Sequence, residues 1–170
     1  MFKVAKLSIL LKPIGIVHVD VDDEAIRNSW SGVKGVVEVF REYGDGLNGI
    51  DGFSHLILIA YLHKVTDDQR RTLMVRPKRF LRFNIKISDL PEVGVFCTDS
   101  PHRPNPIALT IVKLIKREDL YLHVEGLDLF NGTPILDIKP YTPDRRIADV
   151  DVPKWYETLT CRAAEKLGKC

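Results

Sequence analysis

The sequence predicts a mainly β fold, an antiparallel barrel or curled sheet with one short C-terminal helix. Three observations predict it. Short β-branched or apolar runs recur between turn signals. Only residues 154–166 carry apolar side chains at helical spacing. Helices do not alternate with strands and no glycine-rich turn opens one, which excludes a doubly wound dinucleotide fold.

The first strand is expected at 14–19, which is short and β-branched. A second is expected at 36–40, after a break at Gly35. Gly44-Asp45-Gly46 and Asp51-Gly52 are turn chemistry around 47–50. Residues 54–63 form a nearly continuous apolar run, so that strand should be buried on both faces. Further strands are expected at 93–98, 107–116, 121–127 and 135–138. Arg117-Glu118-Asp119 reads as the tip of a hairpin, and Asn131-Gly132 as a tight turn. In the helix, Trp155, Leu159 and Ala163 recur at every fourth position and mark its buried side.

The chain has 170 residues, 45% apolar and 28% charged, which fits one globular domain. We expect a β-barrel domain over 1–153 and, over 154–170, a helical extension of the same domain. No apolar run reaches the ~18–20 residues that span a bilayer, and no small-residue cleavage site follows the N-terminal apolar stretch. Cys97, Cys161 and Cys170 are odd in number and lack a CxxC spacing, which argues against a disulfide framework or a zinc cluster and points to a reducing cytoplasm. Cys97 itself reads as a small buried hydrophobe in an apolar strand. The histidines do not make a metal site either: His55 and His63 would be about 26 Å apart on an extended strand.

Net charge is only +2, but the charge is unevenly placed. Arg70, Arg71, Arg76, Lys78, Arg79, Arg82 and Lys86 fall within 70–86, with no acid among them. Phe80 and Phe83 interleave, as phosphate binding with base stacking would require, although the same segment also reads as a solvated loop. The acidic run Asp20, Asp22, Asp23 and Glu24 offsets this segment in the total. In Ser100-Pro101-His102-Arg103-Pro104-Asn105-Pro106, three prolines fix the backbone. His102, Arg103 and Asn105 are therefore offered at low entropic cost, as a binding loop offers its side chains. Asp137 and Lys139 share one face of a strand, either as a mutual ion pair at the barrel mouth or as a base tuned by its neighbour.

Taken in order, Pro13-Ile14-Gly15-Ile16-Val17-His18, Gly52-Phe53-Ser54-His55-Leu56, Gly94-Val95-Phe96, the proline loop through Ile107, Leu127-Asp128, Gly132-Thr133-Pro134 and Leu136-Asp137-Ile138-Lys139-Pro140-Tyr141 resemble the TrmO-type tRNA methyltransferases. The resemblance runs over about 13–143, and its proline-rich and Asp-Ile-Lys-Pro-Tyr strings are highly specific. It implies a single-sheet β-barrel, a homodimer and S-adenosylmethionine as methyl donor. The acceptor it implies is N6 of a threonylcarbamoylated adenosine beside the tRNA anticodon. Cofactor contacts are implied at Ile26, Arg27, His63, Lys64, Asp99, Leu109, Leu127 and Asp128, at or near a dimer interface. In this reading Arg76, Lys78, Arg79, Arg82, Arg103 and Asn105 hold the tRNA, and the proton acceptor is one of Asp137, Tyr141 and His102. Asp99 stands where the family usually has Arg, and Arg27 is a cation the family pattern lacks: either the two changes are linked and Arg27 takes over the lost charge, or both are surface drift. The other reading is a cofactor- or RNA-binding module of the same fold without transfer.

Overall fold

Antiparallel pairing of the last barrel strand with the first closes the sheet. The structure is a computed structural model and describes residues 8–166 and 168. In chain order its elements are β1 (Gly15–His18), α1 (Asp23–Asn28), β2 (Val33–Val39), β3 (His55–Tyr61), α2 (Asp67–Arg70), β4 (Met74–Val75), β5 (Val93–Gly94), β6 (Ile107–Glu118), β7 (Tyr121–Leu127), β8 (Pro134–Pro140) and α3 (Lys154–Lys166). The chain divides into two compact units, Met1–Tyr61 with Leu109–Tyr141 and Leu62–Ala108 with Thr142–Cys170.

The first unit is a closed barrel in the order β1-β2-β7-β6-β3-β8, with β8 returning to β1. Val17, Val37, Val39, Leu56, Leu58, Leu122, Val124 and Ile135 point inward and are almost wholly buried. β3 is buried at four of its seven positions, as its apolar run predicts. The β6–β7 hairpin turns at Asp119 and Leu120, with Glu118 opposite Tyr121. Asp119 takes φ 52, a left-handed conformation that Asp tolerates.

Two expectations for this unit are corrected. β2 does not begin after Gly35 but runs through it. A Cβ on Gly35 would lie 2.8 Å from the His18 carbonyl oxygen and equally close to the Val19 and Leu127 side chains, so the glycine marks a close approach and not a break. The acidic run is also partly a helix. Asp22 caps α1, its carboxylate accepting from the Ala25 N–H at 2.7 Å, and Asp23 and Glu24 occupy the favourable first turn.

The second unit is built of 3₁₀ turns, the short β4–β5 pair and α3. Its core is Phe80, Phe83, Ile85 and Leu90 with Leu159 and Ala163, and Trp155 and Leu81 pack at its edge. Helix α3 matches the expected bounds and buries the expected face. Three expectations fail here. Residues 93–98 are a two-residue strand followed by a 3₁₀ turn, Val95–Cys97, and Cys97 is exposed. Phe80 and Phe83 are core residues, 0% and 8% exposed, and cannot stack on bases.

Candidate functional site

The barrel unit gathers five of the implied cofactor residues at one end. Lys34 pairs with Glu125 and Val33 with Leu127, so Gly126 is an extra residue in β7. It sits at φ 88, a conformation glycine adopts without strain. The bulge re-aims the end of β7 toward the α1–β2 connection. A Cβ on Gly32 would overlap the Gly126 backbone, which shows how closely that connection lies on β7. Arg27, in the last turn of α1, sets its guanidinium 4.8 Å from the centre of the Phe130 ring, three residues beyond Leu127. Its guanidinium also lies 3.9 Å from the Asp23 carboxylate. On β6, the Ile111 carbonyl lies against Gly126, which puts Leu109 at the same end. Ile26 and Leu127 are buried side chains, so what they offer a ligand is backbone, whereas Arg27, Leu109 and Asp128 are exposed.

The other implied site residues, except for Asp137 and Tyr141, belong to the second unit. His63 and Lys64 lie in an exposed turn. Asp99 is 93% exposed and lies 3.6 Å from Arg79, so its charge has a partner within its own unit. A pair this open contributes little stability.

The basic segment separates into cations that build and cations that face water. Arg70 and Arg71 pair with Asp67 and Asp68 on α2. Arg76 donates to the Leu90 carbonyl. Arg79 donates to the Tyr156 hydroxyl at 2.9 Å and lies over the Phe80 and Tyr156 rings. Burial, and secondarily the charge of Arg79, lowers the pKa of Arg82. Lys78 and Lys86 are exposed. In the proline loop, Arg103 turns inward and donates to the carbonyls of Val95 and Thr98, at 3.0 and 2.8 Å, while His102 and Asn105 stay exposed.

On β8, Asp137 and Lys139 form the ion pair that their shared face predicts, at 2.6 Å. The other oxygen of Asp137 accepts from the Ile138 N–H at 2.9 Å. Half-buried Tyr141 donates its backbone N–H to the His55 carbonyl. Among the described residues no group of three His, Cys, Asp or Glu side chains could hold a metal. Among them, too, no helix is long and apolar enough to cross a membrane.

Residues 26–146 match the family model of the tRNA-methyltransferase O N-terminal domain. The chain belongs to the TrmO family. A probable S-adenosyl-L-methionine-binding protein of Pyrococcus abyssi is 38% identical over 145 residues, which cover 83% of this chain and 72% of that protein. The tRNA (adenine(37)-N6)-methyltransferase of Rattus norvegicus is 38% identical over 122 residues, 72% of this chain but 25% of the rat protein. A solved TrmO from Pseudomonas aeruginosa superposes with TM-score 0.63 at 27% identity, covering 85% of this chain and 62% of that one. This TrmO-family chain therefore spans about a quarter of the rat enzyme and under two thirds of the solved protein.

Proposed function

We propose that this chain transfers a methyl group from S-adenosylmethionine to N6 of threonylcarbamoyladenosine beside the tRNA anticodon. The observation that carries the reading is the gathering of Arg27 and Asp128 at one end of the barrel, on segments where the family resemblance puts the cofactor. The residues there fit such a molecule. A guanidinium suits a methionine-type carboxylate in a bidentate pair, and an exposed carboxylate suits a sulfonium or a sugar hydroxyl. Bound there, S-adenosylmethionine supplies an electrophilic methyl group. Arg27 holds the carboxylate end, and the Gly126 bulge fixes where Asp128 stands. The same resemblance assigns cofactor contacts to Leu109, His63, Lys64 and Asp99.

The acceptor nitrogen needs alignment and the loss of a proton. Asp137 already accepts from Lys139 and from the Ile138 N–H, which suits it to scaffolding. We assign the proton to Tyr141 or His102. Lys78, Arg79 and Arg82 hold tRNA phosphate, because cations that neutralise phosphates release condensed counterions. Exposed Leu109, Ile111 and Ile115, all on the outward face of β6, support a homodimer. A tRNA substrate points to the cytoplasm.

Calorimetry with S-adenosylmethionine and its demethylated product, followed by a methyl-transfer assay on threonylcarbamoylated tRNA, tests the reading. Binding with incorporation is expected. Binding without transfer to any tRNA favours the cofactor-binding module, the reading that the name of the archaeal relative supports. Absence of cofactor binding overturns both.

A further inference from the structure

The barrel unit holds a cavity of about 550 Å³ that none of the proposed cofactor residues line, a volume usual for small-molecule sites. Its walls come from the 3₁₀ segment Arg41–Leu47, the turn that follows it, and β8. Phe53, Tyr43 and Ile138 give it an apolar and aromatic body. Glu42, Asp45 and Asp137 give it carboxylates, and among the described residues no Lys, Arg or His lines it. Lys139 neutralises Asp137 at 2.6 Å. The Tyr43 hydroxyl donates to Glu42, and this hydrogen bond is the main reason that its pKa is raised. No Lys, Arg or His among the lining residues offsets Glu42 and Asp45, so these carboxylates leave the cavity negative.

That combination selects by charge. A phosphate or carboxylate ligand would meet like charge on entry. A neutral apolar ligand would use the walls and leave the carboxylates without a counter-charge. An ammonium uses both, because carboxylates accept its hydrogens and aromatic rings attract its charge. We propose that this cavity binds a small organic cation, an amine with an apolar or aromatic body. The site shares Asp137 with the methyl-transfer reading, but its net charge comes from Glu42 and Asp45 and it does not depend on that reading.

Three probes of matched shape test it on the full chain by NMR titration: 2-phenylethylamine, 2-phenylethanol and 3-phenylpropanoate. The amine is expected to bind about tenfold more tightly than the alcohol, and the acid not at all. Shifted resonances should fall in 42–53 and 137–140. In Glu42→Gln/Asp45→Asn the amine should lose its advantage while alcohol binding is kept. Should the double variant fold poorly, exposed Asp45→Asn alone must reduce the same ratio. Equal binding of amine and alcohol, an unchanged ratio in the variants, shifts confined to other segments, or no binding of the amine would each overturn the proposal.

Discussion

The barrel unit and the second unit reach a dry core by opposite routes. In the barrel, the ladder fixes each strand and every second residue goes inward, so small β-branched side chains are enough. Val17, Val37 and Val39 are wholly or almost wholly buried without any aromatic in their strands. Among the described residues the second unit has little ladder, with Met74–Gly94 and Val75–Val93 pairing across β4 and β5. It depends on two large rings, Phe80 and Phe83, with Leu159 and Ala163 of α3 in the same core. Where backbone pairing is scarce, side-chain volume has to define the core, and residues that look like ligands for a base become structural.

The sharpest way to break this comparison is Phe80→Ala. It should cost about 3–5 kcal/mol, because an emptied aromatic site adds a cavity term to the lost transfer energy. Hydrogen exchange should show protection lost in 78–90 and α3 but kept in β1 and β2. Equal loss in both regions would mean that the chain unfolds as one cooperative body. In the barrel the corresponding weak point is backbone clearance, not volume. Gly35→Val should cost about 1–3 kcal/mol by overpacking against the His18 carbonyl, read from urea unfolding with m unchanged.

A smaller effect separates the cations of the second unit. Lys78→Ala with Arg82→Ala should flatten the salt dependence of tRNA binding by roughly 0.7–0.9 in slope for each phosphate no longer neutralised. Arg76→Ala should instead lower stability, since Arg76 bonds the Leu90 carbonyl. An unchanged slope in the double variant would mean that the exposed cations only solvate the unit.

The smallest effect tests the outer surface of the barrel. The hydrogen bond from Lys116, and then that from His123, holds the Glu118 carboxyl below its ordinary value of 4.5. A depressed carboxyl contributes stability above that ordinary value and loses it as pH falls through the folded value. Between about pH 6 and pH 3 the wild type should therefore lose slightly more stability than Glu118→Gln in urea unfolding.

Much of the barrel was legible because its signal is local. The run at 54–63 carries its period in adjacent residues, as does the helix at 154–166 in the second unit, and the hairpin expected to turn at 117–119 turns one residue later, at Asp119–Leu120. The errors came where a residue serves a distant neighbour. Gly35 reads as a break until His18 and Leu127 are seen beside it. Phe80 reads as a stacking ring until α3 covers it. In the candidate site, the family strings mark Arg27 and Asp128, but only the Gly126 bulge and the Phe130 ring bring them to one end of the barrel. The cavity at Glu42, Tyr43 and Asp45 was missed because Gly44-Asp45-Gly46 was sufficiently explained as a turn, and its sole sequence signal was acids beside an aromatic.

The sequence by itself determined the fold class, the β6–β7 hairpin, the terminal helix and the family, because periodicity, turn residues and motif strings are written along the chain. Tertiary structure alone decided which cations are bound up and which face solvent, which aromatics are core, and whether Asp137 stands paired. Each of those depends on a partner brought close by the fold, such as Tyr156 for Arg79, 77 residues on, and the free energy of a charge or a ring is set by what surrounds it in space.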